Sequence, residues 1–255
     1  MEKNDIFEKR MTELSKKAYY KDILTYSDFL DLNEQSKLSC LSFQNTGITV
    51  KTFGGYESAE RQMAAFVPDA FSYACEPEEL AYPISCLRIQ PLNQKFAEAL
   101  THRDYLGAIL NLGVERSKVG DILVSQEGAY IFCHASMEAF FLDEITRIRH
   151  TSVKVTPVYS KEELPKPRRE EISGTVASPR LDSIIALAFH TSRSSMISYI
   201  EGGKVFVNGK NVVSNGYSLK DGDIISVRGK GKFQFGTIKN ITKKNRYQVV
   251  LYKYC

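Results

Sequence analysis

The chain has 255 residues, 43% hydrophobic and 25% charged, a globular balance that excludes wholesale disorder. No apolar run approaches the roughly 18 residues of a membrane span, and the charged opening MEKNDIFEKRM lacks the apolar stretch of a secretory signal. Five scattered cysteines without a C-x-x-C pair, and four dispersed histidines, argue against a disulfide framework or a metal site and for reduced thiols in the cytoplasm.

The first forty residues predict helix. Phe7, Met11, Leu14 and Ala18 recur at helical spacing, and Tyr26, Phe29 and Leu30 continue an apolar face after a break near Thr25. A strand is expected over Gly47–Phe53, then a turn at Gly54-Gly55 and a helix from Glu57 to Phe66 closed by Pro68. With this helical region assigned to 1–75, a second domain over 76–159 reads β-α-β-β-α-β. Its strands are Ile84–Gln90, Asp121–Val124, Ala129–Cys133 and Ser152–Val158; its helices are Gln94–Leu112 and Met137–Ile148. That order is the split arrangement of ferredoxin-like and RRM folds. Residues 160–178, rich in proline and charge, predict an extended, mobile linker.

The C-terminal part, 179–255, predicts a compact α+β module. Ser178 and Pro179 suit an N-cap and first helical position, and Leu181, Ile184, Ile185 and Ala188 form one stripe. A second helix capped by Ser192 buries Met196, Ile197 and Ile200 and stops at Gly202-Gly203. Strand Val205–Val207, the hairpin turn Asn208-Gly209, and strand Ile224–Val227 after Asp221-Gly222 follow. Gln234–Ile241 and Arg246–Tyr252 then form a basic hairpin around Lys243-Lys244-Asn245.

Charge is distributed unevenly along this order. Arg180–Cys255 holds 13 Lys and Arg against 4 Asp and Glu, while the other 179 residues hold 21 against 26. A basic domain tethered to a mildly acidic one suggests a polyanionic partner for the basic end. Ser192, Arg193 and Ser194 place a helix N-terminus and a guanidinium where a phosphate is favoured. Lys204 and Lys210 add point charges, and Arg228, Lys230 and Lys232 alternate with glycines that permit close backbone approach. Tyr247, Tyr252 and Tyr254 read as sheet packing ahead of base stacking.

Five ordered blocks carry a resemblance. Arg180-Leu181-Asp182, Ser192-Arg193-Ser194, Ile200-Glu201-Gly202-Gly203-Lys204-Val205, Val207-Asn208-Gly209 and Asp221-Gly222-Asp223-Ile224-Ile225 resemble the S4 RNA-binding domain. The resemblance implies an αα-β module whose second helix and hairpin grip folded RNA, with Arg180, Asn208, Lys243 and Lys244 joining the cations above. Gly54–Arg61, His102–Ala108, Val119–Ile122, Gly174–Ser178 and Thr242–Lys244 extend it to the YlmH-type S4 proteins of bacteria. That family implies a non-enzymatic protein that binds rRNA of the large ribosomal subunit and tRNA in ribosome-associated quality control, with a looser link to cell division; a monomer is expected. No cofactor, metal, membrane or small-molecule substrate is expected.

Three leads point elsewhere. His102-Arg103-Asp104 imitates a kinase catalytic loop, but Ile109 stands where its asparagine belongs; Thr101 capping a helix with Asp104 in its first turn is the plainer reading. Arg180-Leu181-Asp182 resembles the catalytic block of pseudouridine synthases, with Pro179 in place of glycine, and Asp182 reads instead as a first-turn helix stabiliser. Tyr130 and Phe132 alternate like an RRM stacking pair, yet read as core or protein contact first. An RNA-modifying enzyme and a division-linked adaptor stand as alternatives.

Overall fold

A computed structural model of the protein describes residues 3–43, 47–71, 80–165, 169–242 and 245–254. The chain divides into two compact units, Met1–Pro165 and Lys166–Cys255.

The first unit opens with α1 (Lys3–Lys21), whose Met11 and Ala18 are buried as their spacing requires. The expected continuation of the helical face is replaced by a two-residue strand, β1 (Thr25–Tyr26), and by α2 (Leu32–Cys40). Asp31 caps α2: its carboxylate accepts from the Glu34 N–H and the Glu34 carboxylate accepts from the Asp31 N–H. Next come β2 (Ile48–Phe53) and β3 (Met63–Pro68), giving an antiparallel sheet of order β1-β3-β2. The helix expected over Glu57–Phe66 is therefore wrong. Every residue of β3 is buried because both its faces are covered: Ala64 and Phe66 join the core with α1, while Ala65 and Val67 pack with Leu80 and Tyr82. A short run that is apolar on both faces carries no periodicity to separate strand from helix.

The rest of this unit has the β-α-β-β-α-β order. It comprises β4 (Ile84–Pro91), α3 (His102–Asn111), β5 (Val119–Ser125), β6 (Gly128–His134), α4 (Glu138–Glu144), a short β7 (Arg147–Ile148) and β8 (Thr151–Val158). The sheet order is β5-β6-β4-β8-β7, antiparallel throughout. Both helices are shorter than their apolar patterns suggest, since Gln94–Phe96 forms a separate 3-10 turn and Arg147–Ile148 pairs as a strand. Leu87, Ile89 and Ile131 meet Tyr105, Ile109 and Phe141 in one core. The kinase-like aspartate sits in the first turn of α3, where Asp104 Oδ2 accepts from the Thr101 N–H at 2.8 Å and its hydroxyl at 2.7 Å.

A polar clasp joins the two sheets of this unit. The Asp121 carboxylate accepts from Tyr56 Oη at 2.7 Å and from the N–H groups of Glu60 and Arg61 at 2.7 and 3.0 Å. Arg61 in turn donates to the carbonyls of Val119, Phe29 and Arg116. Gly55 and Gly120 allow this approach, because a Cβ on either would lie within 2.5–2.7 Å of the Phe132 or Phe29 ring. The Asp28 carboxylate makes a second cross-link, 2.5 Å from Arg10 and 2.6 Å from Lys118. Burial pushes its pKa up, but Lys118 and Arg10 outweigh that and hold it below the usual carboxylate value.

In the second unit, Arg169–Val176 forms strand β9, although these residues read as part of a mobile linker. The alternating Ile172, Gly174 and Val176 give it a core face, and a Cβ at Gly174 would meet the Leu187 side chain at 2.5 Å. Next come α5 (Leu181–Ala188), α6 (Arg193–Glu201), β10 (Val205–Val207), β11 (Lys210–Asn211), β12 (Ile224–Val227), β13 (Gly231–Ile241) and β14 (Tyr247–Tyr254). One antiparallel sheet of order β11-β10-β12-β13-β14-β9 buries Val205, Ile225, Phe233 and Val249 against α5 and α6. The cap of α5 is Arg180 rather than Ser178, so Pro179 lies outside the helix; the Leu181 N–H instead reaches the Tyr217 carbonyl.

Asp121→Asn removes the charge from a carboxylate with three donors, and each hydrogen bond to a charged group contributes about 1.5–3 kcal/mol. A lower urea midpoint at unchanged m-value is the expected result for this variant.

Candidate nucleic-acid interface

The cations expected to meet RNA fall into separate clusters of the second unit. At the N-terminus of α6, Ser192 caps the helix by accepting from the Ser195 N–H at 3.2 Å, and Ser194 Oγ lies 3.2 Å from Ser192 Oγ. Arg193, the first helical residue, has its side chain 54% exposed. Its guanidinium is held by Asp182, with Nη2 and Nε at 2.6 and 3.2 Å from Oδ2. Asp182 does sit in the first turn of α5, as expected, yet its role as the anchor of Arg193 has no signature in the sequence.

Beyond the other end of α6, Lys204 and Lys230 place their ammonium groups 5.1 and 5.2 Å from the centre of the Tyr199 ring. A cation over an aromatic face is attracted by its quadrupole, so Tyr199 gathers two lysines distant in sequence. Arg228 adjoins them, its N–H donating to the Lys204 carbonyl at 2.9 Å. At 1.5 Å per residue, α6 separates this cluster from Arg193 by about 12 Å. A third grouping surrounds Tyr254, with Lys232 at 4.9 Å and Arg169 at 5.0 Å from its ring centre. Tyr247 packs on the core and Tyr252 lies against Gly236, as the sheet-packing reading expects, whereas the Tyr254 ring meets the two cations. Tyr199 and Arg169 escaped sequence reasoning because Lys230 and Tyr254, which they meet, lie far along the chain from them.

Arg180 and Lys210 are exposed, the first capping α5 and the second on the edge strand β11. Asn208 is committed to its turn: Nδ2 donates to Asp223 Oδ1 at 2.8 Å, and Oδ1 accepts from the Ile224 N–H at 2.9 Å. Its φ of 49° followed by 76° at Gly209 is the hairpin geometry that the Asn-Gly pair predicts. Lys243 and Lys244 lie outside the described residues.

In the first unit, the helix-free face of the larger sheet presents Cys86, Arg88, Tyr130 and Phe132. Phe132 is 1% exposed, stacked on Tyr56 at 5.0 Å and packed with Phe29 and Met63. Tyr130 is 6% exposed, beneath the Arg88 guanidinium. Neither ring is open to a base. A cavity of about 240 Å³ remains on this face, lined by Phe53, Tyr82, Cys86, Phe132 and Leu164; burial pushes the Cys86 thiol up to about 12. Among the described residues, no cluster of His, Cys, Asp or Glu could hold a metal ion, and no helix is long and apolar enough to cross a membrane.

Two helices on an antiparallel sheet, with the ordered Arg-Leu-Asp, Ser-Arg-Ser and Asn-Gly blocks at helix starts and hairpin, define an S4-domain RNA-binding protein, and residues 179–225 match the S4 domain family. Residues 77–162 match the family described as "Putative RNA-binding domain in YlmH". Over 227 residues the chain is 31% identical to the "Ribosome-associated protein quality control protein P2" of Bacillus subtilis (strain 168), a match covering 88% of this chain and 84% of that one. The solved structure of "Cell division protein ylmH from Streptococcus pneumoniae" superposes with a TM-score of 0.51 at 27% identity, over 65% of this chain and 96% of that one. The chain belongs to the YlmH-type S4 RNA-binding proteins.

Because Phe132 is core, Phe132→Ala should lower stability by about 3–5 kcal/mol, the usual cost of truncating a buried phenylalanine. RNA affinity of the folded fraction should stay unchanged, as read by urea denaturation beside a binding titration.

Proposed function

We propose that this protein is a non-enzymatic cytoplasmic binder of structured RNA, acting on large-subunit rRNA and tRNA in ribosome-associated quality control. The observation that carries the reading is the set of cations held in place on the second unit: Arg193 by Asp182, Lys204 and Lys230 by Tyr199, Lys232 by Tyr254. Cations fixed by the fold suit a phosphate backbone of defined shape, and contacts of this kind position a partner without reading its bases. The name of the Bacillus relative supports the ribosomal setting. An RRM-like sheet in the first unit fits the observed strand order, but with its aromatic pair covered, base stacking is not assigned to it. Asp182 is buried and ion-paired with Arg193, which does not suit a catalytic aspartate.

Arg193→Ala should weaken binding to unrelated structured RNAs alike. It should also flatten the dependence of log affinity on log salt by about 0.7–0.9 for each phosphate that is no longer neutralised; an unchanged slope would remove Arg193 from the interface. In a sucrose gradient of cell lysate, the protein should travel with large subunits at low salt and leave them at high salt. Slow sedimentation at both salts would count against a ribosomal partner.

A further inference from the structure

Asp182 is 4% exposed, and both its oxygens are engaged from within the protein. Oδ1 accepts from the Ser183 N–H at 2.7 Å and the Ser183 hydroxyl at 3.2 Å, while Oδ2 takes the two donors of Arg193. A carboxylate so enclosed does not meet RNA itself, and its charge opposes a polyanion. Arg193 is half exposed at the start of a nine-residue helix, beside Ser192 and Ser194. A guanidinium is planar and carries five N–H donors in a fixed fork. With its Nε and Nη2 edge held by Asp182, the orientation of the remaining donors is set before any partner arrives.

We propose that Asp182 is a positioning residue for RNA: it fixes the Arg193 guanidinium so that its remaining donors are presented to one backbone phosphate at the start of α6. This role rests on the reading that Arg193 meets RNA. Preorganisation of this kind raises affinity by removing the ordering cost from the binding step. Its signature is opposite in sign to that of simple electrostatics. Neutralising Asp182 adds one net positive charge beside the interface, which by charge alone strengthens RNA binding; loss of positioning weakens it.

The test uses full-length protein with labelled bulk tRNA and, separately, purified bacterial large subunits, each titrated across a salt series. Asp182→Asn should weaken binding roughly five- to tenfold, within the range of coupling between contacting residues. The double variant Asp182→Asn with Arg193→Ala should bind no more weakly than Arg193→Ala alone. An Asp182→Asn protein that binds as tightly as the wild type, or more tightly, overturns the proposal, as does a double variant whose loss is the sum of the two single losses. Arg193→Lys provides an arm on a half-exposed side chain, where folding is not at stake: it keeps the charge but not the fork, and should lose most of what Arg193→Ala loses. Full affinity in the lysine variant also overturns the proposal. If Arg193→Ala itself binds normally, the parent reading of Arg193 fails first; if it weakens binding while Asp182→Asn does not, the positioning role alone fails.

Discussion

The architecture of the first unit turns on one carboxylate. Asp121 receives the Tyr56 hydroxyl and two backbone N–H groups of the Glu60–Arg61 segment. This places the Arg61 side chain among the carbonyls of Phe29, Arg116 and Val119. Arg116 lies there too, donating to the Val119 and Gly120 carbonyls. Burial lowers the pKa of both arginines, and with the neighbouring Arg61 charge pulls Arg116 to about 10. Two cations removed from water require such a shell of acceptors, since an uncompensated buried charge is strongly destabilising. The clasp also brings the smaller sheet over Phe132, which packs there with Phe29 and Met63.

The second unit handles charge differently. Its cations remain at the surface, where Arg193 meets a carboxylate, Lys204 and Lys230 a phenol ring, and Lys232 and Arg169 another ring. Orientation by an aromatic ring leaves the cation's charge uncancelled, which suits a surface for a polyanion. Orientation by Asp182 sacrifices part of the charge of Arg193 for direction. The two arrangements together separate attraction, which any basic surface provides, from geometry, which folded RNA demands.

Much of this was legible in the chain. The stripes of α1, α5 and α6, the Ser192 cap and the Asn208-Gly209 turn are patterns set within a few residues of chain, and so is the alternation that marks each central strand. The N-terminal motif Gly54–Arg61 was legible as a motif but not as a device, because its partner Asp121 is about sixty residues away and neither segment names the other. Strand β3 was missed because burial on both faces erases the alternation that marks a strand. Strand β9 was missed because its neighbours in sequence are proline-rich and charged, while its partner in space, β14, lies at the far end of the unit.

By itself the sequence determined the class of this protein: a basic S4 module following a β-α-β-β-α-β domain. Local propensity, capping chemistry and residue order are properties of neighbours along the chain, and they survive without a fold. Only the tertiary structure decided which groups are available. It buried Phe132 and Tyr130, committed Asn208 to its turn, and joined Asp182 to Arg193 and Tyr199 to two lysines. Exposure and pairing depend on which distant segments pack together, and long-range packing is what one-dimensional patterns do not encode.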